Sequence, residues 1–220
     1  MAFGKKPAEN QQIEIKPLNL KTIPLGIVGT QAYVTNKMTP GGRKALRNSM
    51  TGANKKDKTA KRGRPDKDFD AEYEGSLHRD VKDHWVGIPA PAFRSAMIRA
   101  CSNANVVMTE GKQCFFVEAD GVDEDEIPLV KIIKGKPEHF EALVKNSNGS
   151  TDIRARGKFA AGWEAIVRVT FDADMFTAEK VANLLQRAGF CVGVGAGRPF
   201  SSKSAGCGWG TFKLKSGVAA

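Results

Sequence analysis

The sequence lacks the cysteine and histidine spacings from which most structural metal sites and disulfide frameworks are built. Its 220 residues include four cysteines and three histidines. No two cysteines form a CxxC pair, and no histidine lies at zinc-finger spacing from them. We therefore expect no metal ion and no other cofactor. The cysteines are predicted to be free thiols in a reducing compartment: Cys101, Cys114, Cys191 and Cys207.

Long apolar runs are also absent. No stretch approaches the roughly 18–20 apolar residues that a membrane-spanning helix needs. The first twelve residues, MAFGKKPAENQQ, lack the apolar region of a signal peptide. Hydrophobic residues still make up 41% of the chain, which is enough for a core. We expect a soluble, cytoplasmic protein with a single domain over residues 1–220 and a frayed tail over residues 1–12.

Acidic residues are scarce in one part of the chain. Between Lys37 and Lys67 lie eleven of the 34 Lys and Arg residues but only two of the 24 Asp and Glu residues, which leaves 23 and 22 elsewhere. Such concentrated positive charge favours a polyanion, because each neutralised phosphate releases a condensed counterion. A solvated, solubilising loop is the alternative. Residues 37–74 show no sustained hydrophobic period and are predicted to form a long, flexible basic loop inserted in the domain.

Alternating and periodic apolar residues elsewhere predict an α+β fold. Strands are predicted at 13–29, with a second extended piece after Pro24, and at 113–119, 129–135, 163–172, 190–195 and 209–215. Helices are predicted from Pro91 through Cys101, within 136–150, and at 175–189, with Thr177 as N-cap and Gly189 as the C-terminal stop. This order predicts a ferredoxin-like or RNA-recognition-motif-type antiparallel sheet with helices on one face.

Glycine is concentrated near the C-terminus, in GVGAGRPFSSKSAGCGWG at 193–210. No helix is predicted to follow, which excludes a Walker loop and a dinucleotide-binding fingerprint. The glycines either satisfy the positive φ angles and bulges of a hairpin, or admit the backbone of a ligand or neighbouring subunit and offer N–H groups to phosphates. Arg198 and Lys203 supply charge in the second case. The loop glycines are Gly193, Gly195, Gly197, Gly206, Gly208 and Gly210.

Two segments resemble motifs of the RAMP superfamily of CRISPR proteins. GIPAPAFRSAMIRA at 87–100 is similar to their strand ending in Ile-Pro, followed by a helix that bears Ser, Lys or Arg. LLQRAGFCVGVGAGRPFSSKSAGCGWGTFKL at 184–214 resembles their helix, Ala-Gly stop, GxG strand and glycine-rich loop. The resemblance covers about 45 residues of the chain. It implies an RNA-recognition-like core, a flexible insertion between early strands, and repeated subunits arrayed along single-stranded RNA.

The chain departs from the pattern of that superfamily in three ways. It is short for a CRISPR backbone subunit. A thumb-like insertion, at 113–160, would be reduced. The motif helix carries Arg94 and Ser95 where the superfamily usually has a small-Ser-Ser-Leu-Lys-Gly core. These departures favour a compact member from a phage or another mobile element.

The resulting expectation is a non-enzymatic protein that binds single-stranded nucleic acid with little sequence preference. By the resemblance, RNA is favoured over single-stranded DNA, and copies form a filament along the strand, with other subunits as optional partners. Arg94 and Arg99 on the motif helix, with Arg198 and Lys203, are expected to line the track. The basic loop is expected to clamp the phosphates through Arg43, Lys44, Arg47, Lys55, Lys56, Lys58, Lys61, Arg62 and Arg64.

Aromatic residues are the candidates for stacking on bases. At period two, half of those in predicted strands should face the core. Trp209, beside the glycine-rich loop, is the best stacking candidate, with a core role as the alternative, and Tyr33 is a weaker one. The strand aromatics are Phe115, Phe116, Trp163, Phe171, Trp209 and Phe212.

Two other functions stay open. A metal-independent ribonuclease of the CRISPR repeat-processing type would use His78 or His84 as a base, although histidines with such charged neighbours are more typical of a solvated surface. A structural protein would oligomerise without nucleic acid, with its basic loop docked on an acidic turn, DGVDEDE at 120–126.

Overall fold

The protein is described here by a computed structural model that covers residues 16–51, 67–145, 149, 151–201 and 206–215. The predicted tail at 1–12 lies outside the described residues, as do six basic-loop cations, Lys55, Lys56, Lys58, Lys61, Arg62 and Arg64, and also Lys203. The strands are β1 (Leu20–Gly29), β2 (Tyr33–Val34), β3 (Gly87–Pro89), β4 (Phe115–Val117), β5 (Gly121–Val122), β6 (Pro128–Lys134), β7 (Glu138–Lys145), β8 (Thr151–Phe159), β9 (Glu164–Asp172) and β10 (Phe212–Leu214). The helices are α1 (Pro40–Met50), α2 (Phe69–Ser76), α3 (Ala90–Cys101), α4 (Met108–Cys114) and α5 (Ala178–Cys191).

The main sheet has seven strands, and every pairing in it is antiparallel. Its centre is the long pair β1·β9, in register from Leu20 opposite Asp172 to Val28 opposite Glu164. Strand β10 pairs with the far side of β1, while β4 and β6 share the far side of β9. Strands β3 and β5 extend the sheet beyond β6. The predicted α+β class is confirmed.

Helices α3 and α5 pack together on one face of the main sheet. Alternation along β9 places Val167 and Val169 in the core, whereas Arg168 and Thr170 on the opposite face are partly exposed. The ring of Phe93 in α3 meets Phe212 in β10 edge to face, with centroids 5.6 Å apart. The sequence predictions of a helix near 91–101 and a strand near 163–172 are therefore confirmed.

A second sheet has the order β2-β8-β7. Strands β7 and β8 form a hairpin from Glu138 opposite Lys158 to Lys145 opposite Thr151. The prediction of a short helix within 136–150 is wrong. The composition EHFEALVK is compatible with a helix, but pairing with β8 overrides that local preference.

Two helices occupy described parts of 37–74, and this corrects the predicted loop. The Thr39 hydroxyl accepts a hydrogen bond from the Gly42 N–H at 3.2 Å, and Pro40 begins α1. The Asp68 carboxylate accepts from the Ala71 N–H at 2.9 Å and caps α2. Helix α1 buries no side chain, and its large apolar residues Leu46 and Met50 are exposed, so it lacks the buried apolar stripe of a core-facing helix.

The end of α5 also differs from the prediction. The Thr177 hydroxyl accepts from the Lys180 N–H at 3.3 Å, as expected for an N-cap. The helix continues through Gly189 to Cys191, and residues 192–195 are not a strand. A Cβ at Gly189 would overlap the carbonyl oxygen of Phe212, so this glycine admits β10 and does not end the helix.

All four cysteines are free thiols. Among the helices that the structure describes, none combines the length and apolarity needed to cross a bilayer.

Candidate nucleic-acid interface

The glycine-rich loop folds onto its own chain. The Val194 N–H donates to the Gly210 carbonyl at 3.0 Å, and the Ala196 N–H donates to the Val34 carbonyl of β2 at 2.9 Å. All six loop glycines have positive φ. A Cβ at Gly195 would overlap the Val34 carbonyl, and one at Gly210 would overlap the Val194 carbonyl. The interpretation in which the glycines satisfy positive φ therefore explains these two positions without a partner.

Trp209 and Arg198 lie on this loop, and each contacts a neighbouring group of the same chain. The half-buried Trp209 ring meets Phe140 of β7 edge to face, with centroids 5.6 Å apart, and Gly197 lies against the indole. The Arg198 guanidinium donates to the Gly195 carbonyl at 3.2 Å. Loop closure thus places Trp209 beside the β7–β8 hairpin.

Strand β8 carries a row of cations on one face. Arg154, Arg156 and Lys158 alternate with Ala155 and Gly157, which are buried. Helix α2 packs over the buried side, where Tyr73 meets His139 edge to face at 5.1 Å. The cations therefore lie on the face away from α2.

Aromatic rings adjoin these cations. Phe140 lies directly opposite Arg156 in the hairpin register, and the Lys158 Nζ is 4.5 Å from the centroid of the Phe140 ring. We call the surface formed by Arg154, Arg156, Lys158, Phe140 and Trp209 the basic hairpin face. Cations beside aromatic rings are the elements of a single-strand binding surface.

Arg156 is a partly buried cation of this face that donates to neutral groups. Its Nη1 donates to the Thr35 carbonyl at 3.3 Å and the Asn36 Oδ1 at 3.2 Å, which are neutral acceptors. Burial, together with the neighbouring charge of Arg154, lowers the pKa of Arg156. A phosphate beside Arg156 would offset both effects.

Carboxylates border the basic hairpin face at its two ends. Asp152 lies 3.7 Å from the Arg154 Nε and also accepts from the Lys67 Nζ at 2.8 Å. The exposed Glu138 lies opposite Lys158 in the register. Arg156, in the middle of the row, lies opposite Phe140 in the register, although the charge of Glu72 also acts on it.

The cations of this row are not among the residues that the sequence motifs predict to bind nucleic acid. The signal is present in DIRARGKF at 152–159, where three basic residues recur at every second position. Residues 152–159 fall within the expected thumb-like insertion at 113–160. That expectation is based on the resemblance and not on the basic residues at every second position. Alternation of this kind predicts a strand with one cationic face.

The two predicted arginines of the motif helix differ in role. Arg94 donates to the Lys112 carbonyl at 2.6 Å and the Phe115 carbonyl at 3.0 Å, and these bonds fasten α3 to α4 and β4. Arg94 is therefore held in a structural contact, and its place on the nucleic-acid track stays a prediction. Arg99 is exposed and lies over the Phe200 ring, 4.1 Å from its centroid, at the edge of the glycine-rich loop.

The acidic turn at 120–126 contacts basic residues of the same chain. The Arg43 guanidinium binds both carboxylate oxygens of Asp125, with Nη1 at 2.6 Å from Oδ1. Lys37 donates to Glu124 at 2.7 Å. The hydrogen bond from Arg43 holds the pKa of Asp125 below its ordinary value. Lys44 and Arg47, the other predicted cations of α1, are exposed.

The two candidate histidines differ in accessibility. His78 is buried, and its Nδ1 lies 2.7 Å from the Asp123 Oδ2, which corrects the prediction of a surface residue. Burial lowers the pKa of His78 despite the carboxylate. His84 is exposed, with its backbone at φ 57°.

Most candidate stacking residues belong to the core. Tyr33 is buried against Phe159 and Trp163, and burial raises the pKa of its hydroxyl, so its predicted role as a stacking residue is wrong. Phe115, Trp163, Phe171 and Phe212 are buried, whereas Phe116 is about half exposed and lies beneath the Arg94 guanidinium.

Comparison of the chain with protein-family models and with curated proteins finds no match in either.

Proposed function

We propose that this protein binds single-stranded nucleic acid on the basic hairpin face. The observation that carries the proposal is the row Arg154, Arg156 and Lys158 beside Phe140 and Trp209. The cations would contact phosphates, and the exposed parts of the rings would stack on bases. Because every base has a flat face and every nucleotide a phosphate, such binding tolerates any sequence.

The connectivity of the main sheet supports a ferredoxin-like fold of the RNA-recognition type. The strand order β10-β1-β9-β4, with α3 between β1 and β4 and α5 between β9 and β10, follows the split βαβ pattern of that fold. We propose that the domain is a variant of this fold, with β7 and β8 inserted between its second and third core strands. A RAMP relationship, a preference for RNA and a filament of copies along the strand are proposed from the two resembling segments alone.

The direct test is a salt titration of binding to a labelled single strand of mixed sequence. For the double variant Arg156→Gln and Lys158→Gln we expect affinity to fall by about tenfold or more at low salt. The slope of log affinity against log salt should shrink by about 0.7 for each phosphate that the variant no longer neutralises.

A matched control separates the basic hairpin face from net charge. Lys82→Gln with Lys213→Gln removes the same charge at two exposed positions elsewhere. If this control weakens binding as much as the hairpin variant does, the basic hairpin face is not the site. Thermal melting of both variants checks that the fold is retained.

The same samples separate the two competing functions. A ribonuclease would shorten the RNA in the absence of metal and lose that activity in His84→Ala. A structural protein would form large particles after nuclease treatment and bind no strand. Intact RNA bound in a salt-dependent complex is the result that we expect.

A further inference from the structure

We infer that the groove between α5 and the segment leaving α3 binds a nucleoside phosphate. The groove has a volume of about 390 Å³, within the range of small-ligand sites. Lys180, Asn183, Leu184 and Arg187 line it from α5, and Asn105 and Val106 from the opposite side. None of its lining residues among those described belongs to the second sheet, which carries the basic hairpin face.

The wall from α5 follows from helical spacing. Lys180, Asn183, Leu184 and Arg187 recur at i, i+3, i+4 and i+7, which places them on one face. At about 1.5 Å rise per residue, Lys180 and Arg187 are about 10 Å apart along the axis. The buried Leu184 lies between them and gives the groove an apolar floor together with Phe176.

The opposite wall is fixed by the way in which α3 ends. Asn105 adopts a left-handed conformation at φ 56°, and the Val106 N–H donates to the Cys101 carbonyl at 3.2 Å. Ser102 is the C-cap of α3, and the chain turns away three residues later at Asn105, a residue type that tolerates the left-handed conformation. That conformation turns the chain so that Asn105 and Val106 face α5 across the groove.

The charges favour an anion. None of the described residues that line the groove is acidic. Lys180 and Arg187 are exposed, and within the described part of the chain neither forms an ion pair. The Arg187 Nη1 reaches only the Asn103 carbonyl, at 3.5 Å. Both cations are therefore available to phosphate oxygens.

The remaining surfaces suit a base. The apolar floor provides contact area, and the amides of Asn105 and Asn183 offer both donors and acceptors to its polar edge. A ligand with phosphate at one end and a flat, polar-edged body at the other matches this combination. It is either a free mononucleotide or one nucleotide of a bound strand; the second source rests on the proposed function.

Calorimetric titration with adenosine monophosphate, uridine monophosphate and inorganic phosphate tests the site. Saturable binding of a mononucleotide, at least about tenfold weaker for Lys180→Gln with Arg187→Gln, is expected. Lys82→Gln with Lys213→Gln is the matched control and should bind as the unaltered protein does. Absence of binding, equal affinity for inorganic phosphate, or an effect equal to that of the control would overturn the inference.

A competition experiment identifies the source of the nucleotide. If the mononucleotide displaces a labelled strand and the groove variant binds the strand less tightly, the site holds a nucleotide of the strand. If the mononucleotide binds without displacing the strand, the site holds a free nucleotide. Mononucleotide binding by a protein that binds no strand would reject the proposed function and leave the groove assignment standing.

Discussion

Gly208 and Gly210 have similar backbones but different surroundings. Their φ angles are 80° and 70°. A Cβ at Gly208 would meet nothing within 4 Å, whereas one at Gly210 would overlap the carbonyl of Val194. The first position needs glycine for conformation alone, and the second also needs it for space.

We therefore expect Gly210→Ala to destabilise the protein more than Gly208→Ala. The strain of a left-handed residue costs about 1–2 kcal/mol at both positions. At Gly210 the overlap also disturbs the Val194 N–H bond to the Gly210 carbonyl and the Gly210 N–H bond to Ala32. Urea denaturation of the two variants measures the difference. Equal decreases in the free energy of unfolding would contradict the packing of this loop.

Residue type and spacing predict positive φ at these glycines, but they do not predict which aromatic residues are buried. Tyr33 lies in a two-residue strand, too short for a period, and only the contact of that strand with Phe159 and Trp163 makes it a core residue. From the sequence alone, Arg94 is expected to be a cation on the surface. Its structural role depends on carbonyls 18 and 21 positions away in the sequence.

Helix α1 is stabilised by its N-cap and by an ion pair with the acidic turn, and not by burial of side chains. It has an N-cap, an Arg43 pair with Asp125 of the acidic turn, and no buried side chain. The same turn therefore neutralises part of the cationic segment for which the sequence predicts phosphate binding. Asp125 and a phosphate would compete for one guanidinium.

Removing that competition should strengthen binding. We expect Asp125→Asn to raise affinity for a single strand several-fold at low salt, because Arg43 is released and one negative charge is removed. The gain should vanish at high salt, since exposed charges are screened. The free energy of global unfolding should change little because α1, which the pair holds, buries no side chain. Fluorescence anisotropy is the measurement, with the exposed Asp83→Asn as control. An equal gain in both variants would rule out a specific role for the turn.

Strong local periods make some elements predictable. Strand β9 alternates, and α5 has its apolar residues at helical spacing beneath a threonine cap. Strand β7 lacks such alternation, and helix α1 has no apolar stripe that faces the core. Strand β7 is a strand because β8 lies beside it, and helix α1 buries no side chain. The same reason explains why the sequence does not reveal the basic hairpin face, since it exists only once β7 and β8 are paired.

At the scale of the whole molecule, the buried pair of His78 and Asp123 joins two loops that are distant in the sequence. His78 lies between α2 and β3, and Asp123 lies between β5 and β6. Asp123 also accepts from the backbone N–H groups of Asp125 and Ile127, at 2.9 and 3.0 Å. The pair therefore ties the connection between α2 and β3 to the connection between β5 and β6, at the edge of the main sheet.

Stability should decrease in mild acid because of this pair. Burial lowers the pKa of His78 from its ordinary 6.5, so below that pH the unfolded chain binds a proton that the folded chain does not. The neutral, buried His78 therefore contributes its full share to the free energy of unfolding above about pH 6.5. That share is lost as the pH falls toward the pKa of His78 in the folded protein. Melting temperature should therefore decrease between about pH 7 and 5, and His78→Gln should flatten this dependence. An unchanged slope, equal to that of His84→Gln, would contradict the prediction.

The pairing of β1 with β9 has a consequence for folding during synthesis. Thr22 and Thr170, neighbours across this pair, are separated by 148 positions in the chain. The centre of the sheet therefore cannot form until most of the polypeptide has been made, and β10 must be added later still. Sheets with such distant partners fold slowly, and the apolar face of β1 stays uncovered meanwhile. The nascent chain is thus most prone to aggregation early, before its own partner strand exists.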